Sequence, residues 1–196
     1  MVMLGWFAPD PTPVLEGPHV VLRAPRGRDY DQWRSLRRRS REFLRPYEPR
    51  WTEADLNRQA FGARLWRGRQ EARRGTDYSF LVFEKTGSGQ VLVGGLTISN
   101  VRRRAAQFAT LGYWMGEEFA GKGLMSAAVS AVVRFAFESL HLNRVEAACL
   151  PHNAASIRLL EKVGFQREGY ARKYLCIDGR WQDHILYGLV RDDPRT

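Results

Sequence analysis

The chain has 196 residues, 44% hydrophobic and 27% charged, with a formal net charge of +10. That length and composition suit one globular domain, read as 1–196 with a core of about 15–193, and no apolar run approaches the roughly 20 residues needed to cross a bilayer. Arginines gather at 34–50, 58–74 and 102–104. Such a field suits an anionic cofactor, nucleic acid or a ribosome, or is only a solvated surface. The bases are not interleaved with exposed aromatics as a stacking platform requires, so direct nucleic-acid binding is not expected.

In chain order, Met1 to Pro13 holds Trp6 and Phe7 but lacks the basic start and apolar run of a signal peptide, so a cytoplasmic protein is expected. Val20–Arg23 reads as a strand. Residues 28–44 read as a helix with Tyr30, Trp33, Leu36 and Phe43 as its apolar positions. Pro46 and Pro49 end it, because proline lacks an amide hydrogen and biases the preceding residue away from helix. Thr52 caps a second helix running to about Arg74. Strands at 78–83, 91–99 and 107–115 then form an antiparallel meander, with Thr86–Gly89 as the first turn. A third helix at 124–140 leads to a strand at 144–149. A fourth helix starts near Asn153 and ends at Val163, with Gly164 as its left-handed cap. Strands at 165–178 and 181–190 close the chain around the hairpin signal Asp178-Gly179. The two cysteines, Cys149 and Cys176, do not make a disulfide framework and read as buried free thiols.

The most informative stretch is 111–140: a strand, Leu111-Gly112-Tyr113-Trp114-Met115, a loop ending Gly121-Lys122-Gly123, and the apolar helix from Leu124. The first amides of a helix lack internal partners and carry the positive end of its dipole, so glycines there allow a phosphate to approach the backbone. A P-loop is excluded, since Lys122 is followed by Gly123 and not by serine or threonine, and the glycine spacing does not match a dinucleotide fingerprint. On spacing alone the glycines either cradle an anion or only turn the chain. The crossover from 107–115 to 144–149 makes those strands parallel, and their parting leaves a cleft at their C-terminal ends, beside this loop.

At these residues the chain resembles the GCN5-related N-acetyltransferases (GNAT) and, within them, the RimJ/RimL group of ribosomal-protein N-terminal acetyltransferases. The likeness is carried by Leu111–Gly116, Ala120–Met125, Asn153–Phe165, Glu168-Gly169, Asp178–Trp181 and Arg45–Trp51. It implies an α/β GNAT fold: a central, mostly antiparallel seven-stranded sheet whose parallel fourth and fifth strands splay, with about four helices. It implies acetyl-CoA as donor and a primary amine as acceptor; direct attack in a ternary complex is expected because Cys149 has no basic activator in sequence, and no metal is expected because His141, His152 and His184 lack ligand spacing. Gly121, Lys122, Gly123, Leu124 and Met125 would hold the pyrophosphate. Ala120 and Met125 depart from the family's phosphate motif. The edge of Tyr113, Trp114 and Met115 would pair with pantetheine, with a backbone amide near Met115 polarising the thioester carbonyl.

Many relatives place a tyrosine in the later helix to protonate the leaving thiolate; here Leu160 stands there, and Ser156 matches the serine of the RimL-like branch. Asn153 would cap this helix and touch the cofactor arm. The RimL-like glutamate position is Leu175, so no base carries over; Glu48 borders the acceptor cleft and would attract the amine, while Glu117 and Asp183 are poorer candidates. The acceptor is expected to be a protein N-terminus, with a small amine such as a polyamine, amino acid or antibiotic as the alternative, and a non-catalytic basic nucleic-acid- or ribosome-binding module as a further one. The protein is expected to be a monomer or homodimer, away from membranes.

Overall fold

The structure, a computed structural model, describes residues 11–194. The signal-peptide reading of the first residues, with Trp6 and Phe7, lies outside the described part as far as Asp10. Eight strands form one sheet: β1 (Leu15–Gly17), β2 (Val20–Arg23), β3 (Tyr78–Thr86), β4 (Gly89–Ser99), β5 (Phe108–Met115), β6 (Arg144–Cys149), β7 (Gln166–Ile177) and β8 (Arg180–Val190). Their order is β1-β2-β3-β4-β5-β6-β8-β7, and every pairing is antiparallel except β5 with β6. The seven expected strands are all present. The eighth, β1, is too short to give a period in sequence and exists through its pairing with β2.

Five α-helices accompany the sheet: α1 (Tyr30–Arg39), α2 (Arg41–Leu44), α3 (Arg58–Arg74), α4 (Leu124–Glu138) and α5 (Ala154–Val163). The expected helix at 28–44 is broken at Ser40, whose backbone leaves helical geometry at ψ 12°. Its buried hydroxyl accepts a hydrogen bond from the Glu117 amide at 3.0 Å, tying α1 to the glycine loop. Thr52 caps a short 3-10 turn, Glu53–Leu56, in a reciprocal box with Asp55, and not α3 itself. Asn57 caps α3 by accepting from the Ala60 amide at 2.7 Å. Asn153 caps α5, and Gly164 ends it at φ 107°, as expected. Asp178 and Gly179 both take positive φ, the geometry of a tight hairpin.

Strand alternation sends side chains to two cores. Phe80, Val82, Leu96 and Ile98 face α4, which is buried on nearly every side. Leu81, Phe83 and Leu92 face α1 and α3, where Tyr30, Trp33, Leu36 and Phe61 pack. On β5, Tyr113 and Met115 fall on the α4–α5 face and Trp114 on the α1–α3 face. Cys149 is buried as expected, but Cys176 is exposed, because β7 is the sheet's uncovered edge. Both thiols are free. No helix of the described residues is long and apolar enough to cross a membrane.

Two glycines in β4 set where Trp114 can lie. A Cβ on Gly94 would meet the Trp114 carbonyl oxygen, and one on Gly95 the Trp114 indole, well inside contact distance. The first neighbour is backbone and cannot rotate away. Gly94→Ala is therefore expected to lower stability by about 1–3 kcal/mol, through overpacking. Thermal melting reads this directly, and an unchanged Tm would show that β4 and β5 tolerate the methyl.

Candidate active site

The site begins where β5 and β6 part. Their parallel register runs from Phe108↔Arg144 to Leu111↔Ala147 and stops. Beyond it β5 keeps its pairing with β4 up to Met115, while β6 keeps its pairing with β8 up to Cys149. Residues 112–115 therefore present one unpaired edge to the gap, whose polar groups need partners.

At the mouth of the gap, Gly121 and Gly123 take φ of 77° and 78°, conformations that a side chain would strain. This turns the loop so that α4 begins directly on it. No side chain caps α4, and the amides of Leu124, Met125 and Ser126 have no partner inside the helix. They form a row of donors at the positive end of a 15-residue helix.

The gap widens into a cavity of about 380 Å³. Its walls include Tyr113, Trp114, Met115, Gly121, Gly123, Leu124, Met125, Asn153, Ser156 and Glu48, so ten of the residues expected at the site meet on one surface. Lys122 does not line it; its ammonium sits over the Phe119 ring, 5.3 Å from the centroid. Arg158 and Lys162, one turn apart on α5, line the same wall and supply cations that the motif reading overlooked. Their spacing of four on a capped helix was the available signal.

Ser156 is 9% exposed, in the first turn of α5. Its amide donates to Asn153 Oδ1 at 3.1 Å, and its Oγ lies 2.6 Å from the Tyr113 hydroxyl. Burial raises the Tyr113 pKa, so the phenol stays protonated; the Ser156 bond opposes this only in part. The Cys149 thiol is buried beside Ser156, and burial pushes its pKa up too, so it is not an activated nucleophile.

Glu48 stands on the opposite side. Arg37 donates to both of its carboxylate oxygens at 2.9 and 2.7 Å, and the Trp51 indole N–H donates to Oε1. The Arg37 guanidinium lies over both Trp51 and Trp114, 5.1 and 4.8 Å from their centroids. The carboxylate is thus a fixed acceptor whose charge is largely balanced. Asp183 accepts from the Lys173 amide and the Tyr170 hydroxyl, both at 2.7 Å. Leu175, where the resemblance looks for a carboxylate, is exposed. Among the described residues no group of three His, Cys, Asp or Glu could hold a metal.

A latch joins the 45–51 segment to the β7–β8 hairpin. The Asp178 amide donates to the Glu48 carbonyl at 3.0 Å, and its carboxylate takes Arg45 at 3.1 Å and Arg50 at 3.3 Å. Arg45 first, then Arg50, lowers the Asp178 pKa.

A helix start rich in amide donors and an open strand edge in one cavity suit an extended ligand that carries phosphate at one end and hydrogen-bonding groups along its length. Residues 19–166 match the acetyltransferase (GNAT) domain family, and the chain belongs to it: it is an acetyl-CoA-dependent acyltransferase. It is 34% identical over 191 residues, 97% of each chain, to [Ribosomal protein uS5]-alanine N-acetyltransferase of Escherichia coli (strain K12). Among solved structures it is similar to Mycobacterium smegmatis RimJ in complex with CoA-disulfide, with TM-score 0.84 and 32% identity over 92% of this chain and 87% of that one. It is equally similar to ribosomal-protein-S5-alanine acetyltransferase from Vibrio fischeri, with TM-score 0.84 and 30% identity over 94% of this chain and 100% of that one.

The latch gives a pH prediction. A depressed carboxylate pKa means the ion pairs are at full strength above the ordinary carboxylate range and are lost as pH falls below about 4. Hydrogen exchange at the residue 178 amide, taken relative to the intrinsic rate at each pH, is expected to be strongly slowed at neutral pH and much less so in acid. Asp178→Asn is expected to quicken it at neutral pH. Equal exchange in the variant would show that the backbone bond holds without the arginines.

Proposed function

We propose that the protein acetylates the N-terminal α-amine of a protein, of ribosomal type, by direct transfer from acetyl-CoA in the cytoplasm. The observation that carries this is the shared cavity. The glycine loop and the start of α4, the open edge of Tyr113, Trp114 and Met115, the Ser156 hydroxyl and the Glu48 carboxylate all line it. The uS5-alanine acetyltransferase relative, matched along nearly its whole length, supports the acceptor class.

Each residue then has a physical task. The amides of Gly121, Gly123, Leu124 and Met125 bind the pyrophosphate, with Lys122, Arg158 and Lys162 adding positive potential. The β5 edge accepts the pantetheine amides as an added strand. An amide near Met115 polarises the thioester carbonyl, in position before the oxyanion develops. Asn153 holds the first turn of α5 so that Ser156 faces the sulfur. As the amine nitrogen bonds to the acyl carbon, the C–S bond breaks and its electron pair goes to sulfur. Ser156 hands that sulfur a proton, and the proton shed by the amine restores the hydroxyl through solvent. Glu48, fixed by Arg37 and Trp51, accepts a hydrogen bond from the incoming amine. An α-amine has a pKa of about 7.7–8.0, so a useful fraction is neutral at pH 7 and a strong base is not required.

Three measurements test this reading. Acetyl-CoA at 100 times its dissociation constant is expected to raise stability by about 2.7 kcal/mol, seen as a higher Tm. An array of peptides with free and blocked N-termini is expected to show acetylation of free α-amines only; acetylation of small amines in preference to any peptide would overturn the acceptor assignment. Ser156→Ala is expected to lower kcat by about 100-fold, the lower end of general acid–base effects, with acetyl-CoA affinity unchanged. Full turnover in that variant removes Ser156 from the chemistry.

A further inference from the structure

We infer that Tyr113, besides lending its backbone to the strand edge, is the positioning residue that makes Ser156 a usable proton donor. This rests on the role given to Ser156 above. A serine hydroxyl rotates freely, and its single proton can point at several acceptors. Here the Tyr113 hydroxyl lies 2.6 Å from Ser156 Oγ, short enough to fix it. Only one of the two protons can occupy the line between these oxygens, so its owner decides what the other proton does.

The arrangement favours Tyr113 as the donor. A phenol is a stronger hydrogen-bond donor than an alkanol. The Tyr113 ring packs with the α4–α5 core, and Ser156 Oγ is the one oxygen bonded to its hydroxyl among the described residues. Were Ser156 to donate instead, the phenolic proton would be left in a part-buried site without an oxygen acceptor, which is costly. With Tyr113 donating, the Ser156 proton has two directions left, the cavity that Ser156 lines and the buried Cys149 thiol, which is a weak acceptor. The Ser156 amide is already spent on Asn153, so the side chain cannot turn back to cap its own helix by that route.

The same bond acts during transfer. As Ser156 gives its proton to sulfur, negative charge grows on Oγ. The phenolic O–H aimed at Oγ, and the positive end of α5, stabilise that charge without rearrangement. Tyr113 keeps its own proton throughout, since burial disfavours the phenolate. No tyrosinate forms, and the proton balance is that already given for Ser156. The residue does not touch the reacting atoms through its hydroxyl; it acts through its neighbour.

The test is a double-variant cycle on the full chain, using acetyl-CoA and the best acceptor peptide. Tyr113→Phe keeps the ring and removes only the hydroxyl. It is expected to lower kcat at least about tenfold, the worth of a hydrogen bond to a developing charge, with the dissociation constant of acetyl-CoA within about twofold of wild type. In the Ser156→Ala background the same change is expected to have no further effect on kcat, because its target is gone. A packing role would instead lower Tm and affinity and would add to the Ser156→Ala loss. Full kcat in Tyr113→Phe, or additive losses, overturns the inference while leaving Ser156 in place. Full kcat in Ser156→Ala removes the reading beneath it. A crippled Ser156→Ala with an unharmed Tyr113→Phe removes only the inference.

Discussion

The structure turns on the point where two parallel strands stop pairing. Up to Leu111 and Ala147 the β5–β6 ladder satisfies both backbones; beyond it each strand continues with its other neighbour, and a row of polar groups on β5 is left facing a gap. A buried, unpaired peptide group costs free energy comparable to a lost hydrogen bond, so such an edge persists only where water or a ligand completes it. The same holds for the amides that open α4, which the glycine loop delivers to the same gap. Two incomplete hydrogen-bonding sets, one from a sheet and one from a helix, thus meet in one cavity. Their combined shape, a cluster of donors followed by a strip of alternating donors and acceptors, is complementary to a diphosphate joined to a chain of amides.

The two faces of β5 divide the work. Period-two alternation sends Tyr113 and Met115 toward α4 and α5, and Trp114 toward α1 and α3. The Tyr113 and Ser156 hydroxyls therefore lie on one side of the strand, and Glu48, with Arg37 against Trp114, lies on the other. In the proposed reaction a nucleophile and a leaving group approach the acyl carbon from different directions, and a strand passing between these groups would supply that separation. Trp114 can take its position only because Gly94 and Gly95 leave the space over β4 open. The latch from Asp178 to Arg45, Arg50 and the Glu48 carbonyl then fixes the 45–51 segment to the far hairpin.

Much of this was legible in the sequence, for local reasons. The hairpin at Asp178-Gly179, the caps at Asn153 and Gly164, and the glycine-opened helix at Leu124 depend on residues within a turn of one another. Strand and helix periods placed seven of the strands, and the crossover rule made β5 and β6 parallel. The misreadings have physical causes as well. Ser40 interrupts a helix whose apolar spacing continues through it, because its hydroxyl serves a distant amide. Thr52 caps a 3-10 turn because Asp55, three residues on, completes a box before α3 can begin. Cys176 is exposed because β7 has no further neighbour, and an edge cannot be told from a central strand by alternation alone.

The sequence by itself determined the order of elements, the glycine-opened helix start and the family to which they belong, since these follow from residue types at short spacing. Tertiary structure decided which side chains meet: that Glu48 is held by Arg37 and Trp51, that the Lys122 ammonium lies over Phe119, and that Tyr113 meets Ser156 across 43 positions of chain. Contacts between residues so far apart arise from the packing of strand against helix, and no period or motif within either segment encodes their distance.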